Sequence, residues 1–206
     1  MRPERISLFP LNVVLFPGEI LPLHIFEPRY RRMVRECLDL QEPFGMLLAM
    51  PNGVANIGCS AEILEVTKRY DDGRMDILTV GRQPYRVLDL FTENPLLAGK
   101  VDYLEDEESQ LNPNTREKLI DVYEVCFTLL FSGMPASLAE TAPDALSFAI
   151  AGALPLDLLW KQQILELRSE AERQDRLLRY LQEWALHLHK IDTQHQGRDG
   201  NGHGVN

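Results

Sequence analysis

Five histidines, three cysteines and a few adjacent carboxylates are the side chains in this sequence with reactive or metal-binding chemistry. His187 and His189 lie two residues apart, so on a helix they point about 200° away from each other and cannot share one metal ion. His195 and His203 fall in the closing stretch DTQHQGRDGNGHGVN. That stretch is polar and glycine-rich and is expected to be a disordered tail, without the fixed, convergent ligands a metal site needs. His24 is flanked by apolar residues and reads as a hydrogen-bonded core or edge histidine. Cys37, Cys59 and Cys126 stand far apart with no CxxC spacing, so they suit buried free thiols in a reducing cytosol better than a disulfide framework or zinc site. Asp71-Asp72 belongs to a turn. No order of Ser, His and Asp or of Cys and His stands out, although such triads assemble in space. The expectation is therefore no catalytic residue, no metal and no cofactor.

The elements that carry these residues change character along the chain. Residues 6–26 read as short strands cut by prolines, and Pro17-Gly18 fits the centre of a type II turn, where proline presets the first φ and glycine accepts the positive second one. From Ile20 to Phe26, Leu21, Leu23 and Ile25 share one face, while Ile20, Pro22, His24 and Phe26 share the other. Both faces are largely apolar, which predicts a sandwiched strand, with Pro22 at an edge or bulge because it has no N–H for a ladder. Pro28 suits the first turn of a helix. Tyr30, Met33, Val34, Cys37 and Leu38 then recur at helical spacing, predicting an amphipathic helix over 28–41. Strand-like segments follow at 44–51, 57–70, 74–80, 85–91 and 96–104, with the hairpin signal DDG at 71–73 and a GRQP break before Tyr85.

The acidic run EDEE at 105–108 ends the strand pattern. It predicts a solvated linker over 105–112. Asn114 and Glu117 have capping-box spacing for the next helix, whose Leu119–Leu130 stretch is apolar almost all round and so is expected at the centre of a bundle. Thr141 and Asp144 are candidate caps for DALSFAIAGAL, LDLLWKQQILEL supplies a third helix, and Leu177, Leu178, Leu181, Trp184, Ala185 and Leu188 form the stripe of a fourth. That stripe is explained equally by packing in the bundle or by pairing with a second copy. The expected organisation is a β-barrel over 1–104, a linker over 105–112, a helical bundle over 113–191 and a tail over 192–206.

Charge narrows the function classes. The formal net charge is -10, and a surface so acidic repels phosphate backbones, which argues against broad nucleic-acid binding. Arg29, Arg31, Arg32 and Arg35 suggest a phosphate site, but Arg32–Glu36 and Arg35–Asp39 have the spacing of surface ion pairs along a helix. No run approaches the ~20 apolar residues that span a bilayer, and prolines interrupt the early apolar stretch where a signal peptide would lie. A cytoplasmic location is expected.

The opening LFPLNVVLFPGEILPLHIFEPRYRRMV closely resembles the start of the Lon protease N-terminal domain family. NIGCSAEI, the DGR turn with its following strand, GRQPYRVLDL, KQQILE and RLLRYL match the same family in order, over about 5–190. The resemblance implies an α+β chain: a PUA-like antiparallel β pseudo-barrel with one inserted helix, followed by a C-terminal bundle of about four helices. Lon proteases continue into an ATPase and a serine–lysine peptidase. This sequence has no GxxxxGK[ST] loop, since Gly99-Lys100 is followed by Val101, and none of its serines sits in a Gly-Pro-Ser-Ala-Gly-like segment. The chain therefore resembles a free-standing substrate-binding domain without motor or peptidase.

That likeness implies a non-enzymatic module for exposed apolar peptide or a partner protein; the alternative is a small-molecule- or RNA-binding PUA-like domain. A peptide would add to a barrel edge or lie in an apolar groove beside the helices. The candidate contacts are Met50 and Val54 beside the PNG turn, and Phe131 and Met134 at a helix break. Glu27 and Arg29, within the matching motif, are expected to fix the strand-to-helix corner.

Overall fold

A computed structural model describes residues 3–93, 95–135, 137–138 and 141–199, with side chains through Lys190. Strands β1 (Arg5–Leu11) and β2 (Ile20–Ile25) precede helix α1 (Pro28–Leu40). Strands β3 (Phe44–Met50), β4 (Gly53–Val54), β5 (Ile57–Arg69), β6 (Met75–Glu93) and β7 (Leu96–Tyr103) follow. Helices α2 (Pro113–Phe131), α3 (Leu146–Ala153), α4 (Leu158–Glu166) and α5 (Glu170–Asp199) complete the chain. Two compact units result: one holds residues through Glu107 together with Ala151–Arg168, the other holds Glu108–Ile150 and the chain from Ser169 onward.

In the first unit the strands run β1-β7-β6-β5-β3, and β3 returns to β1, closing a ring. The closing β1–β3 pair is parallel and the remaining pairs are antiparallel, with β4 on β3 and β2 on β6. Closure abolishes free edges around the ring and leaves β2 as an appended strand. Ile6, Leu8, Leu47, Tyr85 and Val101 fill the interior. Tyr85 Oη donates to the Met46 carbonyl at 3.0 Å, and the chain beside it is glycine for steric reasons. A Cβ on Gly58 would lie 2.1 Å from that same carbonyl.

The Pro17-Gly18 turn forms as expected: the Glu19 N–H donates to the Phe16 carbonyl at 3.1 Å and Gly18 has φ +80°. The GRQP segment does not break the sheet, because β6 runs through it. Pro84 is tolerated where β5 shifts register between Cys59 and Ala61, and there Ser60 Oγ takes over a ladder role. It accepts from the Gln83 N–H at 3.1 Å and donates to the Gln83 carbonyl at 3.1 Å. In α1, Tyr30, Met33, Val34 and Cys37 are buried, with Pro28 opening the helix and Gln41 closing it in the left-handed region.

Two boundaries differ from those the sequence predicts. Residues 151–168 belong to the barrel unit and not to the bundle, because α4 packs on β5. Gln162 Nε2 donates 2.9 Å to the Ile57 carbonyl, and Asp157 caps α4 by accepting from the Leu159 and Trp160 N–H groups. The start of the acidic run is likewise anchored and is not a free linker. Glu105 accepts from Gln83 Nε2 at 2.7 Å, the Glu107 N–H donates to the Arg168 carbonyl at 2.9 Å, and Arg168 lies 3.6 Å from Asp106.

In the second unit α2 packs against α5. Leu119, Tyr123 and Cys126 are buried on α2, and Leu177, Leu181 and Ala185 on α5, each large aliphatic side chain contributing about 1.5–3 kcal/mol. α2 is not apolar-buried all round, since Val125 and Phe131 stand exposed. Its cap is Asn112, which accepts from the Asn114 N–H, two residues before the predicted position, with Pro113 in the first turn. The start of α3 is held by Glu170 and not by Thr141 or Asp144: the Ser147 N–H donates to Glu170 Oε1 at 3.0 Å. The tail expected from 192 is helical through Asp199, since each added residue of an existing helix gains a hydrogen bond without a new nucleus; residues 200–206 lie outside the described chain.

Candidate functional site

Strand β2 has one edge of main chain without a strand partner among the described residues. It pairs with β6 from Ile20↔Val80 to Ile25↔Met75 without a bulge, and among the described residues no strand lies on its other side. Glu19 O accepts from Gly81 N–H and Leu21 O from Thr79 Oγ1, so the odd-numbered residues direct their main chain to β6. By antiparallel alternation Ile20, Pro22 and His24 direct theirs to the free edge. Pro22 thus withholds one outward N–H, which explains how a proline sits in an unbroken ladder.

The side chains of that same set are exposed. Ile20 is 49% accessible and Phe26, just past the strand, 59%. Leu21 and Leu23, on the opposite face, are half-buried and Ile25 is buried. The sandwiched strand predicted from two apolar faces is therefore covered on one face only. Ile20 and Phe26 were missed as candidate contacts for that reason, although the alternation that separates them from the covered face was legible.

At the Phe26 end the strand meets the β5–β6 turn. His24 Nδ1 lies 2.5 Å from Asp76 Oδ1, and Tyr70 Oη donates to Asp76 Oδ2 at 2.8 Å. These two hydrogen bonds, His24 first, hold the Asp76 carboxyl below its ordinary range. The His24 ring stands edge-on to Tyr70 and stacks near Phe26. Lys68 Nζ and the Arg74 guanidinium lie 4.5 and 5.0 Å from the Tyr70 ring centre. From α1, Arg31 Nη1 donates 2.5 Å to the Asp72 carbonyl, and both Arg31 and Arg35 close over Gly73. Arg31, Arg35, Lys68, Arg69 and Arg74 outnumber Asp71, Asp72 and Asp76 around this turn, which leaves it a net positive spot on an acidic protein.

The remaining candidates lie elsewhere. Met50 and Val54 both lie on the β3–β4 hairpin but on opposite faces, since Met50 pairs with Gly53 and Val54 with Ala49; Met50 is exposed and Val54 packs half-buried against the barrel core. Phe131 and Met134 lie at and just beyond the end of α2, half and 94% exposed respectively. They belong to the second unit, whereas Met50 and Val54 belong to the first. Glu27 and Arg29 are paired at 2.8 Å across the strand-to-helix corner. Arg32 pairs with Glu36 at 2.7 Å, whereas Arg35 turns to Gly73 and not to Asp39.

Cys37, Cys59 and Cys126 are buried free thiols; burial pushes Cys37 up to about 12 and Cys126 up to about 11, and raises Cys59 as well. His187 Nδ1 lies 2.8 Å from the Glu183 carbonyl of its own helix. No cluster of His, Cys, Asp and Glu among the described residues suits a metal ion, and none of the described helices is long and apolar enough to cross a membrane.

A barrel with an appended strand, one inserted helix and a following set of helices is the class of fold defined here, and comparison assigns it a family. The model of the ATP-dependent protease La (LON) substrate-binding domain matches residues 5–183. The chain belongs to that family. The Lon protease of Escherichia coli is 28% identical over 207 residues, covering 86% of this chain and 25% of that protein. The Lon protease of Amoebophilus asiaticus is 24% identical over 184 residues, covering 82% and 22%. The chain thus spans a quarter or less of these relatives. A Lon N-terminal domain protein from Xanthomonas campestris has the same fold, with TM-score 0.70, 24% identity and coverage of 85% of this chain and 98% of that one. The N-terminal domain of Mycobacterium avium complex Lon protease superposes with TM-score 0.64 at 17% identity, covering 88% and 97%.

Proposed function

We propose that this chain is a non-enzymatic module that binds exposed apolar segments of polypeptides. The observation that carries this reading is the exposure of large apolar side chains, Ile20 and Phe26 by β2 and Phe131 and Met134 by α2, in a member of a substrate-binding family. Such residues gain free energy by leaving water, and unfolded segments supply the matching surface. The three thiols are buried, His24 and His187 are hydrogen-bonded, and free cysteines suit a reducing cytoplasm. The RNA-binding alternative needs the arginine face of α1, and there Arg29 and Arg32 are committed to Glu27 and Glu36. Titrating fluorescein-labelled, reduced and carboxymethylated casein into the purified chain tests the reading by anisotropy. Saturable binding at tens of micromolar or tighter is expected, with native folded proteins inert. Absence of saturation, or equal binding of a folded control, would overturn it.

A further inference from the structure

We infer that the free edge of β2 is where an extended peptide binds, adding as a strand, and that the favoured peptide alternates apolar residues and carries acidic side chains at its end. This rests on the polypeptide-binding reading and gives it a place and a chemistry.

The two open edges of the β2–β6–β5 ribbon are built differently. Beyond Ala61, β5 has β6 as its strand partner, and its edge carries Glu62, Glu65, Lys68 and Arg69 with two register shifts. Charges and bulges are how proteins keep foreign strands off an exposed edge. β2 has neither: its register is unbroken and His24 is its one ionisable residue. Its outward N–H groups at Ile20 and His24 make no hydrogen bond among the described residues, and Pro22 between them removes only one donor. An incoming strand would find two donors, three outward carbonyls and an exposed apolar row of Ile20, Pro22 and Phe26 beside it.

Charge selects the occupant. Arg31, Arg35, Lys68, Arg69 and Arg74 gather around the 70–74 turn at the end of β2. Asp72 is held by Arg74 at 2.7 Å and Asp76 by His24 and Tyr70, while Arg35 and Arg69 form no ion pair among the described residues. A carboxylate at the end of a docked strand would meet these cations, whereas lysines would meet repulsion. On a chain of net charge -10, this spot is where an acidic group is welcome.

The test compares fluorescein-labelled peptides with a Thr-Val repeat flanked at both ends by Asp-Asp or by Lys-Lys, using the full chain, the exposed-edge variants Ile20→Lys and Phe26→Lys, and Leu90→Lys as an exposed control. Binding of the acidic peptide at low salt, at least about fivefold tighter than the lysine peptide and weakened by added NaCl, is expected. Ile20→Lys is expected to lose about tenfold in affinity, a loss that one buried aliphatic side chain accounts for, and Leu90→Lys to lose nothing. Amide exchange should slow at Ile20 and His24 on binding. Peptide binding that survives both edge variants, or that protects other amides, overturns the edge assignment while leaving the polypeptide-binding reading standing. No binding of either peptide or of denatured casein overturns both. A dimer without peptide that Ile20→Lys dissociates assigns the edge to a second copy and overturns the inference.

Discussion

Removing the guanidinium of Arg173 should unfold the second unit at markedly lower urea. Arg173 and Glu170 are almost completely buried, and their ion pair is made by two contacts, Nη2 at 2.8 Å and Nε at 2.9 Å from Glu170 Oε2. Glu170 also accepts from the Ser147 N–H at 3.0 Å, the Ser147 hydroxyl at 2.5 Å and Gln174 Nε2 at 2.8 Å. The guanidinium lies 4.1 Å from the centre of the Phe148 ring. Breaking a buried pair by deleting one partner costs about 3–5 kcal/mol, because the other charge stays behind. In Arg173→Met the carboxylate keeps three donors and the methionine fills most of the volume, so the loss should fall near 3 kcal/mol. In Glu170→Gln the buried cation loses its counter-ion and one amide end opposes its donors, so the loss should be larger, near 4 kcal/mol. Urea unfolding followed by Trp184 fluorescence in a Trp160→Phe background reads the second unit. The double variant Glu170→Leu/Arg173→Met, with no stranded charge, should be more stable than either single variant. If Arg173→Met costs under about 1 kcal/mol, or if the double variant is less stable than either single variant, the reasoning fails.

Burial raises the Glu19 carboxyl above its ordinary value, with the Phe16 N–H and Lys161 opposing. Its stabilising contribution is thus complete below the unfolded pKa and lost as pH rises through the folded one. Glu19→Gln keeps an acceptor for Phe16, so its melting temperature should gain on the parent chain between pH 4 and pH 7; a constant difference would count against the assignment. Because all three thiols are buried, Ellman's reagent at pH 8 should find almost none in the native protein and all of them in guanidinium; rapid native labelling would contradict this. Gly58→Ala forces a Cβ to within 2.1 Å of the Met46 carbonyl, and the urea midpoint should fall by an amount worth about 1–3 kcal/mol.

Much of the barrel was readable because its signals are local. Pro17-Gly18, Pro28 and the Tyr30–Cys37 spacing each dictate backbone within a few residues, and the structure follows them. What escaped depends on partners distant in sequence. β6 continues through GRQP because Ser60 supplies hydrogen bonds from another strand, and α4 joins the barrel through Gln162 and the Ile57 carbonyl. Neither contact leaves a trace in periodicity. The candidate surface was half legible. Alternation sorted β2 into its two faces, but hydrophobicity alone cannot tell a covered apolar face from an exposed one, since much normal protein surface is apolar. Phe131 and Met134 were legible as a helix-end pair because Gly133 and Pro135 break the helix there.

The chain enters the barrel unit twice, first through Glu107 and again at Ala151–Arg168. During synthesis every strand leaves the ribosome before the helix that seats on β5, so the nascent barrel must wait for a later stretch of message to be read. No single proteolytic cut releases either half intact.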